Sequence, residues 1–343
     1  MKILYAIQGT GNGHLSRAME IVPILKRKAD VDVLVSGIQS DLKLPFKIDY
    51  QYYGLSFIFG KSGGIDFVKT YRKSRLRKLR KEIKTLPVEK YDLIISDFEP
   101  VSCWAGKAKE IPVIGLSNQA AVFSEGAPVP EKFDPIGKFV LKKYAPCDVQ
   151  FGFHFQKYNK QIFTPIIRKI IRDSIPVNLG HYTVYLPSFD DKKIVKRLNK
   201  FKSIKWEVFS KHCKKAYQDG NIYVYPIDND AFLRSLISCE GILCGAGFAT
   251  PSEALYLKKK LMVIPMKSQF EQQCNALALT HMGVAVIPSL RKRHLSKIEE
   301  WLKNDSIIAV NYPDETEKII DLILEERKKK FIKPIRLKSN KAS

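Results

Sequence analysis

The chain has 343 residues, 45% of them hydrophobic and 27% charged, a composition typical of a globular protein with two domains of ordinary size. No apolar run approaches the roughly 20 residues of a transmembrane helix, and six scattered cysteines without a CxxC pair argue against a disulfide framework or zinc site and favour a reducing cytoplasm. The formal net charge of +23 indicates an attraction to polyanions (nucleic acid, anionic lipid or a phosphorylated substrate), unless it only reflects a lysine-rich surface.

The first predicted strand, KILYAI, leads into the glycine-rich turn GTGNGH and then into a helical pattern that Pro23 interrupts. Gly9, Gly11 and Gly13 would let a ligand approach the backbone closely, and the helix N-terminus would attract an anion. His14 stands at the helix start, where it is either a candidate general base or a locally hydrogen-bonded residue. The second strand, VDVLVSG, ends without the acidic residue of a dinucleotide site, which argues against NAD.

A strongly basic segment, residues 65–86, follows the second strand. Its apolar residues recur at helical spacing, so it predicts a helix with a cationic face. Such a helix either lies on an anionic membrane surface or packs its apolar stripe on the core as an ordinary surface helix. The candidate membrane-binding or anion-binding residues are Arg72, Arg75, Arg77, Lys78 and Arg80.

Apolar strands continue to alternate with helical patterns through YDLIISD, IPVIGLS and VQFGFHF, as in a parallel sheet covered on both faces. Prolines and a glycine break this rhythm and place a linker at residues 166–180, after which the alternation resumes with YTVYLPS. The sequence therefore predicts an α/β fold of two doubly wound, Rossmann-like domains, residues 1–165 and 181–313, that face a shared cleft. We expect a closing helix at 314–331, which packs back on the N-terminal domain, and a basic tail at 332–343.

A second glycine turn occurs in CGAGFATPSE, residues 244–253, between a strand and a helix. The backbone N–H groups of Ala249 and Thr250 are suited to a diphosphate, and Glu253 lies one turn further, where it can accept hydrogen bonds from a ribose. Another motif, DND at 228–230, is either a metal-binding DxD sequence or a helix N-cap. We favour the cap and predict no metal site.

Residues 244–276 resemble the donor-nucleotide signature of the UDP-glycosyltransferase superfamily, which has the GT-B architecture and includes the bacterial peptidoglycan N-acetylglucosaminyltransferase. The turn GTGNGH resembles the glycine turn of that bacterial enzyme, and SDFEPVSCWAGKAKEIPVIGLS resembles the segment that supplies an Asp to its His. The resemblance extends in order from the N-terminus to about residue 290. It implies a hexosyltransferase that moves a sugar from a nucleoside diphosphate, preferably UDP, to a hydroxyl acceptor, with inversion and with no metal or other cofactor.

The resemblance also implies roles for individual residues. His14 would be the catalytic base and Asp97 would orient it; Glu99 is a second candidate base, and helix capping with local salt bridges is the alternative for both carboxylates. Asn118 and Gln119 would line the acceptor side. The implied donor-binding residues are Gly9, Gly11, Gly13, Gly245, Gly247, Phe248 and Ala249, with Thr250 on phosphate, Glu253 on ribose, Glu271 and Gln272 on the sugar, and Asn275 nearby.

Three other functions compete with this interpretation. A nucleotide-sugar 2-epimerase shares the architecture and the donor motifs, but it would act without an acceptor. A nucleic-acid-binding protein would explain the charge, yet the sequence has no zinc finger, RNA-binding aromatic motif or clear helix-turn-helix. A sugar-binding protein that has lost catalysis is disfavoured by the presence of His14 together with Glu253, Glu271 and Gln272. The lipid-linked acceptor of the resembled bacterial enzyme implies a cytoplasmic protein on the inner face of the membrane.

Overall fold

The computed structural model describes residues 1–37, 44–55, 76–131, 135–267 and 269–331. Its N-terminal half contains a seven-stranded sheet in the order β3-β2-β1-β4-β5-β6-β7, with every neighbouring pair parallel. The strands are β1 (Lys2–Gln8), β2 (Asp30–Ser36), β3 (Tyr50–Tyr52), β4 (Leu93–Asp97), β5 (Val113–Ser117), β6 (Val149–Phe153) and β7 (Ile162–Phe163). The helices of this half are α1 (Asn12–Lys28), α2 (Leu76–Thr85), α3 (Pro100–Ala108), α4 (Asn118–Ala121) and α5 (Pro135–Tyr144), and residues Val88–Lys90 form a 3₁₀ turn.

The C-terminal half contains a second seven-stranded sheet, in the order β10-β11-β9-β8-β12-β13-β14, in which only the edge pair β10–β11 is antiparallel. Its strands are β8 (His181–Tyr185), β9 (Lys205–Ser210), β10 (Tyr217–Asp219), β11 (Ile222–Pro226), β12 (Gly241–Gly245), β13 (Lys260–Ile264) and β14 (Ala285–Val286). The remaining helices are α6 (Lys169–Arg172) between the sheets, α7 (Asp191–Leu198), α8 (Asn229–Ser238), α9 (Ala249–Tyr256), α10 (Phe270–His281), α11 (Leu295–Lys303) and α12 (Thr316–Phe331), with a 3₁₀ turn at Lys292–His294.

These two sheets confirm the prediction of two doubly wound α/β domains. In the first sheet the strand order reverses between β1 and β4, and in the second between β8 and β12. Ligands of doubly wound sheets bind at the carboxyl ends of the strands beside such a reversal. The two glycine turns follow β1 and β12, so each stands at the reversal of its own sheet.

The apolar core runs without interruption from one domain to the other. Strands β1, β2 and β4 bury their side chains almost completely, which explains why they read as continuous apolar runs. At the junction, the ring of Phe155 lies 5.1 Å from that of Phe248, and the hydroxyl of Tyr312 donates to the carbonyl of Phe155 at 3.1 Å. This apolar junction holds the two domains together at the strand-order reversals of their sheets.

The structure differs from the sequence prediction in a few local features. Helix α1 continues through Pro23, which the sequence pattern treats as an interruption. Pro23 is exposed and costs the helix a single backbone hydrogen bond, while Leu15, Val22 and Leu25 on the other face are buried. The strands β3, β7 and β10 were not predicted, because each has only two or three residues and too short a pattern to recognise.

Two predicted basic elements are only partly described. Arg72, Arg75 and the tail at 332–343 lie outside the described residues. Within α2, Leu79 and Ile83 pack on the N-terminal core, while Arg77, Lys78 and Arg80 are exposed. Among the described helices, none is long and apolar enough to cross a membrane.

Helix α12 packs against α1 of the N-terminal domain. Lys28, at the end of α1, lies 3.0 Å from Glu317 and 2.8 Å from Asp321 of α12. Between the sheets, the guanidinium of Arg172 donates to the carbonyl of Tyr312 at 2.9 Å. The last helix therefore returns the chain to the first domain.

Candidate active site

A cleft of about 630 Å³ separates the two glycine turns and is lined by residues of both domains. A side-chain carbon added at Gly13 would lie 3.7 Å from the side chain of Ala249, so the N-termini of α1 and α9 almost meet across it. Nine residues predicted to bind the donor line this cleft: Gly11, Gly13, Gly245, Gly247, Phe248, Ala249, Thr250, Glu253 and Gln272.

Both helix N-termini leave backbone N–H groups available to a ligand. Gly11 precedes α1 with a φ of 99°, a left-handed conformation that favours glycine, and it has no side chain with which to cap the helix. Phe248 precedes α9 and makes no capping hydrogen bond with its side chain. The positive ends of two helices therefore face the same cleft, which suits an anionic group such as a diphosphate.

Gly9 and Asn275 do not line the cleft, although both were predicted to bind the donor. A side-chain carbon at Gly9 would come within 2.9 Å of Val35, so close packing of β1 and β2 explains this glycine. The amide of Asn275, which is almost fully buried, donates to the carbonyl of Ala246 at 3.2 Å. Both residues support the turns that the ligand would meet, rather than the ligand itself.

His14 belongs to a buried charge cluster at the end of β4. Its Nδ1 lies 2.8 Å from Oδ1 of Asp97, whose side chain is fully buried. Arg17, one turn further along α1, donates from Nη2 to Oδ1 of Asp97 at 2.6 Å and from Nε to Oδ2 at 2.8 Å. His14 and Asp97 are in contact, as predicted, and Arg17 is a second cationic partner of Asp97.

The electrostatics of this cluster keep Asp97 ionised. Burial alone would raise the pKa of the Asp97 carboxyl, but the positive charge of Arg17 and the contact with His14 hold that pKa below its ordinary value. Burial likewise opposes the charge of Arg17, whose pKa is nevertheless raised by Asp97. Asp97 is therefore a fixed negative charge beside the imidazole.

The contacts of His14 also assign its tautomer. An ionised Asp97 can only accept a hydrogen bond, so Nδ1 of His14 carries the proton that points at it. On the other side of the ring, Nε2 lies 3.4 Å from the amide nitrogen of Gln119, which can only donate. Nδ1 also lies 3.1 Å from Nη2 of Arg17, so each ring nitrogen has a donor within reach, and the shorter contact with Asp97 is the one that assigns the proton to Nδ1.

Glu271 of α10 links the C-terminal domain to this cluster. Its Oε1 accepts a hydrogen bond from Asn118 at 2.6 Å and its Oε2 accepts one from Gln119 at 3.0 Å. Burial raises the pKa of the Glu271 carboxyl, although His14 and the two amides partly oppose the shift. The residue expected on the donor sugar and the two expected on the acceptor side therefore contact one another across the domain boundary.

Glu253, the residue expected on the ribose, is paired with Arg168 of the linker. The pair is bidentate, with Nε to Oε1 at 2.6 Å and Nη2 to Oε2 at 2.7 Å, and both side chains are nearly buried. Arg168 also lies 3.3 Å from the side-chain oxygen of Asn229 and lines the cleft. A ribose would have to share or displace this arginine.

Sequence reasoning missed Arg17 and Arg168. A signal for Arg17 was present, because it lies three residues after His14 and so on the same helix face. No comparable signal marks Arg168, since it pairs with a carboxylate 85 residues away.

Glu99 and the DND motif behave as helix caps. The side chain of Glu99 is fully buried, and its two carboxylate oxygens accept hydrogen bonds from the N–H groups of Val101 and Ser102 at 2.8 and 2.6 Å. Glu99 therefore fits the predicted role of a helix cap and not the predicted role of a second base. Asp228 accepts from the N–H of Ala231 at 2.7 Å. Across the described ranges, no group of three or more His, Cys, Asp or Glu side chains is arranged to hold a metal ion.

Comparison with known proteins identifies the family. The model of glycosyl transferase family 1 matches residues 1–304. No curated protein matches the chain by sequence. Among solved structures, MurG from Acinetobacter baumannii superposes with a TM-score of 0.58 at 15% identity, over 94% of this chain and 99% of that one.

Two further glycosyltransferases share the same fold. The glycosyltransferase of kitacinnamycin superposes with a TM-score of 0.59 at 14% identity, over 95% of this chain and 94% of that one. The spinosyn forosaminyltransferase SpnP gives 0.56 at 13% identity, over 96% of this chain and 95% of that one. The chain has two facing doubly wound domains, the family model spans both of them, and the structural neighbours cover nearly the whole chain. It therefore belongs to glycosyl transferase family 1 and has the GT-B fold.

Proposed function

We propose that this glycosyltransferase is a hexosyltransferase that transfers a sugar from a UDP-sugar to a hydroxyl group, with inversion and without a metal ion or other cofactor. The observation that carries the proposal is the contact of His14 Nδ1 with Asp97 at the start of α1, directly after Gly13, which lines the cleft and approaches Ala249 of α9; His14 itself does not line the cleft. Two solved structures of the spinosyn rhamnosyltransferase SpnG, complexed with thymidine diphosphate and with spinosyn aglycone, give the fold a precedent for a nucleotide and an acceptor.

In the proposed mechanism, Nε2 of His14 removes the proton of the acceptor hydroxyl as the oxygen attacks the anomeric carbon. The bond from that carbon to the β-phosphate oxygen breaks, and UDP leaves with the electron pair. Asp97 stabilises the imidazolium that forms, as a buried carboxylate does in other His-based sites. A direct displacement of this kind inverts the anomeric centre.

The leaving diphosphate needs compensation for its developing charge. The N-terminus of α9 provides backbone N–H groups at Ala249 and Thr250, which line the cleft. Glu253 would accept from the ribose hydroxyls once Arg168 shares or releases it, and the freed guanidinium would add a positive charge beside the diphosphate. These groups would do the electrostatic work that a metal ion performs in other transferases.

Calorimetry tests the donor site first. UDP, thymidine diphosphate, GDP and NAD are titrated into the wild type and into Glu253→Ala, in buffer with EDTA. We expect micromolar UDP binding that the variant loses. Absence of binding to every nucleoside diphosphate, or binding of NAD alone, would overturn the proposal.

Transfer itself is tested with labelled UDP-sugars and a panel of hydroxyl acceptors. Release of UDP that requires an acceptor supports the transferase. A change in the sugar without any acceptor would instead identify a nucleotide-sugar 2-epimerase.

We also propose that the protein lies on the inner, cytoplasmic face of the membrane. The observation in favour is the exposed side of α2, where Arg77, Lys78 and Arg80 project beside Leu76, whose side chain is 41% exposed. Flotation with vesicles of anionic and of neutral lipid tests this surface. We expect binding to anionic vesicles only, lost at high salt and reduced in the triple variant Arg77→Gln, Lys78→Gln, Arg80→Gln; equal flotation of this variant and the wild type would refute it.

A further inference from the structure

Two cysteines of the N-terminal domain lie side by side, although they are 44 residues apart in the sequence. The Sγ atoms of Cys103, in α3, and Cys147, in the loop that precedes β6, are 3.7 Å apart. All six cysteines of the chain are free thiols in the structure. Since a disulfide bond is about 2 Å long, these two sulfur atoms would have to approach each other by about 1.7 Å to form one.

Strand β5 leaves room for the thiol of Cys147. A side-chain carbon added at Gly115, in this strand, would lie 2.9 Å from the Sγ of Cys147. This distance is shorter than a van der Waals contact, so a larger residue at this position would displace the sulfur. The glycine therefore lets Cys147 lie against the sheet, on which α3 and its Cys103 also pack.

Two further contacts hold the same two segments together. The indole nitrogen of Trp104, the residue after Cys103, donates a hydrogen bond to the carbonyl of Tyr144 at 3.2 Å. The ring of Tyr144 stacks on that of Phe98, two residues before α3, at a centroid distance of 4.7 Å. Because these contacts fix α3 against residues 144–147, the fold keeps the two thiols near each other, which favours a reaction between them.

The two thiols differ in their access to solvent. Cys103 is fully buried, whereas Cys147 is only partly buried. Burial and the contact with Cys147 raise the pKa of the Cys103 thiol, and this disfavours the thiolate, which is the form that attacks a disulfide. A reagent from solution should therefore react first with Cys147, and Cys103 should react afterwards with the sulfur beside it.

We propose that Cys103 and Cys147 are a reversible disulfide site that reacts with low-molecular-weight disulfides. In the first step the thiolate of Cys147 attacks one sulfur of the small disulfide, the S–S bond of that molecule breaks, and one small thiolate leaves and takes up a proton. In the second step Cys103 loses its proton and attacks the Sγ of Cys147, and the second small thiol leaves. The protein loses two electrons and the small disulfide gains them, so an excess of small thiols reverses the reaction.

The new bond would close a ring within the N-terminal domain. Residues 103–147 contain β5, α4 and α5. A cross-link that closes a loop of this length restricts the unfolded chain and thereby stabilises the fold. We therefore expect the oxidised protein to unfold at a higher temperature than the reduced protein.

Peptide mapping by mass spectrometry tests the site. The full-length protein is incubated with oxidised glutathione, the free thiols are alkylated, and the protein is digested. We expect a disulfide that joins the peptides of Cys103 and Cys147, with all other cysteines alkylated. Treatment with dithiothreitol before alkylation should restore both free thiols.

Three variants separate the roles of the cysteines. In Cys103→Ala, glutathione should remain attached to Cys147, because no second thiol is present to displace it. In Cys147→Ala, Cys103 should stay a free thiol, because it is fully buried. The control is Cys213→Ala: Cys213 lies in the C-terminal domain, is 8% exposed, and should have no influence on the disulfide.

Three results of the mapping would overturn the inference: alkylation of both Cys103 and Cys147 after oxidation, glutathione retained on Cys147 of the wild type, or equal oxidation of Cys213. The melting temperature, measured by circular dichroism, is an independent check. On oxidation it should rise by a few degrees in the wild type and in Cys213→Ala but not in Cys103→Ala. An unchanged or lower melting temperature of the oxidised wild type would contradict the inference that the fold accommodates the bond. None of these readouts involves UDP or sugar transfer, so the outcome is independent of the proposed function.

Discussion

Replacement of Asp97 by Asn tests the buried charge cluster most directly. The substitution preserves volume but removes the negative charge that accepts hydrogen bonds from His14 at 2.8 Å and from Arg17 at 2.6 and 2.8 Å. The amide of Asn would direct an N–H group at one of these donors. Because Arg17 is buried and would lose its counter-charge, we expect the free energy of unfolding to fall by about 3–5 kcal/mol.

Urea denaturation followed by circular dichroism measures this loss, with Asp321→Asn as the control. Asp321 also pairs with a lysine, Lys28 at 2.8 Å, but on the surface, where half of its side chain is exposed. The same chemical change should cost at most about 1 kcal/mol there. Equal losses in the two variants would refute the argument that burial gives the Asp97 cluster its strength.

The same variant tests catalysis. Without the carboxylate, His14 loses the partner that fixes its tautomer and stabilises its charged form, so we expect kcat to fall by about 10² to 10⁴-fold. UDP affinity should change little, because Asp97 does not line the donor cleft. A folded Asp97→Asn protein with wild-type kcat would exclude Asp97 as the residue that orients the catalytic base.

Two further predictions concern the charged pairs. A double-mutant cycle of Arg168→Ala and Glu253→Ala, measured by urea denaturation, should give a coupling energy of about 1.5–3 kcal/mol, because the pair is bidentate and nearly buried. A coupling energy near zero would show that the pair is not formed in solution. The lowered pKa of Asp97 means that its ionised form stabilises the fold above the unfolded pKa of about 4, and that this contribution is lost as pH falls through the lower, folded pKa. Between pH 5 and pH 2 the wild type should therefore lose more stability than Asp97→Asn, and parallel pH profiles would contradict this.

Much of the site was predictable because it lies on two local patterns. Glycine turns between an apolar strand and a helix fix a backbone geometry within about ten residues, so Gly13, Thr250 and Glu253 could be placed from the sequence alone in the first two turns of the helices that follow β1 and β12. The pairing of His14 with Asp97 followed from a family pattern that joins two such ends. For Glu99, whose sequence allowed a cap or a base, only the structure distinguished the two, because its carboxylate accepts hydrogen bonds from the N–H groups of Val101 and Ser102.

The sequence by itself determined the α/β class, the two-domain division of the sheets and the positions of the glycine turns, because periodicity, prolines and glycines act over short distances along the chain. Only the tertiary structure decided which charges meet. Arg168 reaches Glu253, Glu271 reaches Asn118 and Gln119, and the thiol of Cys103 lies beside that of Cys147. Contacts between residues so far apart in sequence depend on how two complete sheets fold and pack, and no local pattern encodes that.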